Sequence, residues 1–158
     1  MLFPKYVYNF MFEALSLAER ALSEGEIPIG AVVVHNNKII GKGYNQTETL
    51  KDPTAHAEMI AITAAANSLK QKFLAECELY ITVEPCLMCS GAILLSRIET
   101  VYFGANEPKF GAAGSLYNVL EDEKYNHKPK VYSGIYAEES AALLEKYFTS
   151  KRIVNNLN

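Results

Sequence analysis

The chain has 158 residues and a mass of 17.6 kDa, which suits a single domain over residues 1–158 and leaves little room for a second. Hydrophobic residues make up 49% and charged residues 21%, an ordinary globular composition that needs no disulfide staples, and apolar runs such as Ala92-Ile93-Leu94-Leu95 are far too short to span a bilayer. The net charge of −3 argues against a broad polyanion-binding face, yet residues 109–158 carry seven basic and six acidic side chains against eight and twelve in residues 1–108. A polyanion would therefore find its better surface in the C-terminal third, although an ordinary mixed surface explains the same balance.

In chain order, the start MLFPKYVYNF lacks a basic segment, an apolar core and a small-residue cleavage site, so no secretory leader is expected and the cytosol is the expected compartment. Residues 6–23 read as an amphipathic helix, with Phe10, Ala14, Leu17, Ala18 and Ala21 at spacings of three and four, stopped by Gly25. Residues 31–34 and 38–43 form a hairpin about the Asn36-Asn37 turn, since Asn tolerates positive φ. A loop rich in Thr, Gln and Asn leads to Asp52-Pro53-Thr54, with Thr54 the expected N-cap of a helix running to residue 69. Residues 79–83 form a short apolar strand, and Pro85 opens a helix over 86–96. Residues 99–103 are a strand, 104–115 a loop, 131–136 a fifth strand and 138–149 a last helix. Strands alternating with helices imply an α/β fold, a mixed and largely parallel five-stranded sheet with helices on both faces.

Three cysteines cannot all pair, and two lie three apart, which reads as metal or redox chemistry. Cys86 and Cys89 share a helix face at an N-terminus, where thiols ionise more readily. His56, at the start of the other helix, completes a zinc-ligand set. Three protein ligands leave a fourth tetrahedral position for water, the pattern of a catalytic site. A closed structural site would recruit His35, His127 or Cys77, none of which has partner spacing. A redox pair is the remaining alternative, and it needs no His-x-Glu. Glu58 is placed to take a proton from metal-bound water and return it to a substrate nitrogen; as an acid in a first helical turn it also suits the helix dipole.

His56-Ala57-Glu58 followed by Pro85-Cys86-Leu87-Met88-Cys89 resembles the signature of the zinc-dependent nucleobase deaminase superfamily. Within it the chain is similar to the bacterial tRNA-specific adenosine deaminases over almost its whole length. The shared stretches include Ile27-Pro28-Ile29-Gly30-Ala31-Val32-Val33-Val34, Gly43-Tyr44-Asn45, Asp52-Pro53-Thr54-Ala55, Gly111-Ala112-Ala113-Gly114-Ser115 and Glu138-Glu139-Ser140-Ala141-Ala142. The resemblance implies a three-layer α/β/α, cytidine deaminase-like fold around a central mixed five-stranded sheet. It implies one Zn2+ per chain on His56, Cys86 and Cys89, and Glu58 as proton shuttle. It also implies a homodimer and an anticodon stem-loop substrate, in particular an arginine tRNA with anticodon ACG, deaminated at the wobble adenosine.

By the same resemblance, Asn45 reads the base edge with its paired donor and acceptor. Ile27, Pro28, Ala55 and Val83 line the pocket, with plain core packing equally open for Val83. Glu107 and Lys109 touch RNA, and Phe148 stacks or packs beside an anticodon nucleotide. Where the family usually has a basic residue followed by Asp, this chain has Asn106-Glu107. Two rival readings use the same residues: a guanine or cytosine deaminase, and a silent zinc-stabilised RNA-binding scaffold, against which Glu58 speaks.

Overall fold

A computed structural model describes residues 2–158. The elements are helix α1 (Lys5–Ser23), strands β1 (Gly30–His35) and β2 (Lys38–Tyr44), helices α2 (Thr47–Leu50) and α3 (Ala57–Leu69), strand β3 (Cys77–Val83), helix α4 (Leu87–Ser96), strands β4 (Thr100–Ala105) and β5 (Lys130–Tyr132), and helix α5 (Ala137–Asn156). The sheet order is β2-β1-β3-β4-β5. The pairs β2–β1 and β1–β3 are antiparallel, and β3–β4 and β4–β5 are parallel. The sheet is therefore mixed and evenly divided rather than largely parallel, because both the hairpin and the step from β1 to β3 reverse direction.

Alternation along the strands sorts the core into two layers. Ala31, Val33, Leu79, Ile81, Val101 and Phe103 face Ala57, Ala61 and Ala65 of α3 and Ile93 of α4. On the other face, Val32, Val34, Tyr80 and Tyr102 meet Val7, Met11 and Ala14 of α1, and α5 packs on β4 and α1. The expected α/β/α sandwich is present, with helices on both faces of the sheet.

The Asn36-Asn37 turn forms as its chemistry predicts, with φ of 48° and 60°, and His35 pairs directly with Lys38. Helix α1 buries Val7, Met11, Ala14, Leu15, Ala18 and Ala21; Phe10 and Leu17 of the expected stripe lie at its half-buried margin. Thr54 does not cap α3. Its hydroxyl and N–H both go to Asp52 Oδ1, at 2.7 and 2.8 Å, closing a local Asx turn, and the capping position falls to His56. The short α2 breaks what reads as an irregular loop. Strand β5 stops at Tyr132 rather than residue 136, because Gly134 and Tyr136 take φ of 89° and 54°. Helix α5 continues beyond residue 149 to Asn156 on largely exposed residues.

Two glycines of β2 set the position of α3. A Cβ on Gly41 or Gly43 would stand 2.3 or 2.2 Å from the backbone oxygens of Ala61 and Ala57. Any side chain there would drive the helix off the sheet. Without one, the alanine face of α3 seats closely and fixes where its N-terminus ends, at the carboxyl edge of β3.

Candidate metal centre and active site

His56 and Cys86 occupy equivalent places, each the extended residue immediately before a helix. Their dihedrals are φ −78°, ψ 152° before α3 and φ −73°, ψ 177° before α4. Their carbonyls accept the first bonds of those helices, from Ile60 N–H at 3.1 Å and Ser90 N–H at 2.8 Å. Cys86 is thus a cap rather than a first-turn helical residue. Cys89 lies within the first turn of α4. His56 Nδ1 is 3.6 Å from both the Cys86 and the Cys89 sulfur, and the three ligand atoms all lie within 4.8 Å of one another.

The donor set fits a zinc ion: one imidazole and two thiols, converging at the positive ends of two helices where thiolates are favoured. The Cys86 thiol is pushed down to about 4, first by the hydrogen bond from Cys89 and then, against burial, by His56. His56 is raised, first by its hydrogen bond to Cys86. Cys89 is shifted upward because Cys86 holds the shared charge and Cys89 is buried.

No fourth protein ligand joins this cluster among the described residues. His35 Nδ1 lies 3.7 Å from the Cys77 sulfur, at the opposite end of β3, where His35 pairs with Cys77. His127 Nε2 lies 2.6 Å from the Ile98 carbonyl oxygen. The closed-site alternative therefore finds no support in the arrangement.

Glu58 lies in the first turn of α3 and is 4% exposed. Burial raises its carboxyl above the usual range against the pull of neighbouring donors, the Cys89 thiol and His56 among them. An acid serving only the helix dipole would sit in solvent; this one points into the protein beside the ligand set.

The remaining candidates divide. Asn45, Ala55 and Val83 are buried, at 4%, 5% and 3% exposure, and Pro28 is buried with Ile27 half-buried beside it. Asn45 N–H donates to Ile29 O at 3.0 Å, and Gln46 N–H to Ala55 O at 3.0 Å, so these segments are stitched together at the end of β2. Glu107 and Lys109 lie on the loop that crosses the Cys86 turn, where Ala112 N–H donates to Pro85 O at 2.8 Å. Phe148 does not join them: it is exposed on α5, on the opposite face of the sheet from α3 and α4, edge-on to Tyr147.

Two buried carboxylates at the site were not legible as functional residues, Glu26 and Glu84. Glu26 is fully buried and accepts the N–H groups of Glu48 and Thr49, at 3.1 and 2.6 Å, and the Thr49 hydroxyl at 2.8 Å. It thereby ties α2, and the loop after Asn45, to the segment carrying Ile27 and Pro28. Burial alone would raise its carboxyl, but the donors from Thr49 and Glu48 and the charge of Lys51 outweigh this and hold it below the usual range. A carboxyl more acidic when folded than unfolded stabilises above its unfolded pKa and loses that contribution as pH falls through its folded value. Glu26→Gln should therefore melt below the parent at pH 7, with the gap closing as melts are repeated below about pH 4. A constant gap across that range would remove the ionised carboxylate from the account.

An open ligand set with an adjacent buried acid, placed at the carboxyl end of a strand between two helix starts, defines a zinc-dependent deaminase. Residues 5–105 match the cytidine and deoxycytidylate deaminase zinc-binding region, and within that superfamily the chain belongs to the tRNA-specific adenosine deaminase family. It is 47% identical over 148 residues to the tRNA-specific adenosine deaminase of Aquifex aeolicus, covering 94% of this chain and 96% of that one. A solved structure from work on A-to-I editing by tRNA:A34 deaminases at the wobble position superposes with a TM-score of 0.83 at 43% identity, over 86% of this chain and 99% of the other. Guanine deaminase from Bacillus subtilis is 41% identical with a TM-score of 0.61, but the match spans only 62% of this chain and 63% of that one.

Proposed function

We propose that this protein hydrolyses adenosine to inosine at the first anticodon position of tRNA. The observation that carries the chemistry is the buried Glu58 carboxyl beside a three-ligand cluster. Likeness to tRNA-specific adenosine deaminases at 47% identity over 94% of the chain supports the substrate; guanine deaminases match at 41% over only 62% of the chain, or over 89% of it at only 24%.

His56, Cys86 and Cys89 would hold a zinc ion, which when bound would lower the pKa of a water on it to about 7. Glu58 takes a proton from the attacking water and delivers it to N1 of adenine as oxygen adds at C6. It then passes a proton to the departing amine, so that ammonia leaves and the C6 oxygen remains as inosine. Asn45 holds the base edge through its amide donor and acceptor. Ile27, Pro28, Ala55 and Val83 exclude bulk water around the ring. An anticodon-loop base is already unpaired, so its extrusion costs a few kcal/mol at most. Glu107 and Lys109 contact the neighbouring nucleotides, and the cytosol is the compartment in which such a tRNA is met. No helix among the described residues is long and apolar enough to cross a membrane.

The deciding experiment is conversion of an arginine-tRNA anticodon stem-loop with anticodon ACG by zinc-loaded protein. Inosine confined to the wobble adenosine is the expected result. Turnover of guanine with no turnover of the stem-loop would transfer the site to the rival small-molecule chemistry.

A homodimer completes this reading. Helix α4 leaves Leu87 and Leu95 exposed, and they line a groove with Phe73, Leu94, Val119 and Tyr125, an apolar face suited to a second copy. Sedimentation should give twice the chain mass, and a monomer at micromolar concentration would overturn it.

A further inference from the structure

The segment between β4 and β5 is long for a connection, and an irregular chain against a protein surface must satisfy its backbone N–H groups somewhere. Here three of those donors, with one hydroxyl, converge on one side chain. Glu84 stands immediately after β3, two residues before Cys86, and is 4% exposed. Its Oε2 accepts Glu107 N–H at 2.9 Å and the Ser115 hydroxyl, and its Oε1 accepts Ala113 N–H at 3.1 Å and Ser115 N–H at 2.8 Å. Both oxygens are thus doubly occupied, the full acceptor capacity of a carboxylate.

The chain is wrapped closely around this group. A Cβ on Gly111 would come within 2.4 Å of the Glu84 carboxyl carbon and oxygen, so only glycine passes there. Gly111 also bridges to Cys86. Between the anchored ends the tip carries Lys109 and Phe110, both exposed, Phe110 at 70%. A cation beside an exposed ring is the chemistry that grips a phosphate and stacks an unpaired base.

We propose that Glu84 is a positioning residue for RNA: it folds the 107–115 loop into a fixed wall beside the Cys86 turn, presenting Lys109 and Phe110 at a set distance from the metal ligands. This rests on the tRNA reading above. Because the loop hangs on the strand end that also leads into the metal site, the RNA grip and the reacting centre share one frame. The carboxylate itself takes no part in the chemistry.

The test is Glu84→Gln in zinc-loaded, full-length protein. The amide turns two donors toward a loop of donors, so at least two of the four bonds are lost. Zinc should stay at one per chain, and the amides of Glu107, Ala113 and Ser115 should exchange with solvent at least about tenfold faster. KM for the ACG stem-loop should rise about tenfold or more while kcat stays within about threefold. Gly111→Ala, which pushes the loop off an intact carboxylate, should give the same pattern and carries the test if Glu84→Gln fails to fold. Unchanged exchange in the loop, loss of zinc, or a fall in kcat at constant KM would each overturn the proposal. A wild-type protein inactive on the stem-loop would sink the tRNA reading and the RNA role that rests on it, whereas unchanged amide exchange in the Glu84→Gln loop would sink the positioning role by itself.

Discussion

Glu58→Ala is expected to keep one zinc per chain and to lose at least about a thousandfold in stem-loop deamination, within the range that general acid–base catalysis supplies. The two effects separate because Glu58 lies beside the ligands without being one of them. The fold should tolerate the change, since removing a buried carboxyl raised by its own burial also removes a desolvation cost. Glu58→Gln, of the same shape, should be nearly as inactive, because an amide cannot carry the proton. Metal analysis and single-turnover rates on the same preparation are the measurement, and a variant with near-normal rate would show that the proton shuttle lies elsewhere.

Cys86→Ser and Cys89→Ser should act on the metal itself. A serine hydroxyl stays protonated where Cys86, with its thiol at about 4, presents a thiolate. Zinc affinity should fall by at least about 100-fold, with activity lost in proportion to metal content. The two variants should differ in stability. Cys89 is fully buried and Cys86 is half-buried at a helix cap, so Cys89→Ser should also melt lower. Elemental analysis after dialysis against a chelator, with melts in parallel, reads both effects. Unchanged metal content would remove the replaced residue from the ligand set.

The ligands and Glu58 could be read from the sequence because metal chemistry restricts residue type and spacing together. The hairpin could be read because two asparagines at positive φ have few other uses. Thr54 misled because its hydroxyl donates to Asp52 Oδ1 instead of accepting an N–H of the helix start, a choice between two local bonds that residue type alone does not decide. Helix α2 escaped because four residues carry no period, and what holds them is Glu26, more than twenty positions away in the chain. Glu84 escaped for the same reason: a carboxylate before a proline looks like any other acid until the loop that wraps it is in place. Phe148, expected by resemblance to stack or pack beside an anticodon nucleotide, stands on a helix across the sheet from α3 and α4, a placement that its residue type does not reveal.

The ligand set has a further consequence for biosynthesis. In the order in which the chain leaves the ribosome, His56, Glu58, Cys86 and Cys89 have all emerged before β4 is made, along with the glycines of β2 on which α3 seats and the strand β1 that borders β3. Lys109, Phe110 and Ser115 follow later, and the helix that supports β4 comes last. A nascent chain therefore carries every group of the metal cluster, and the pocket residues Asn45 and Ala55, before it carries the loop that presents Lys109 and Phe110. The order of the residues thus separates the part of the chain that holds the ion from the part that meets the flanking nucleotides.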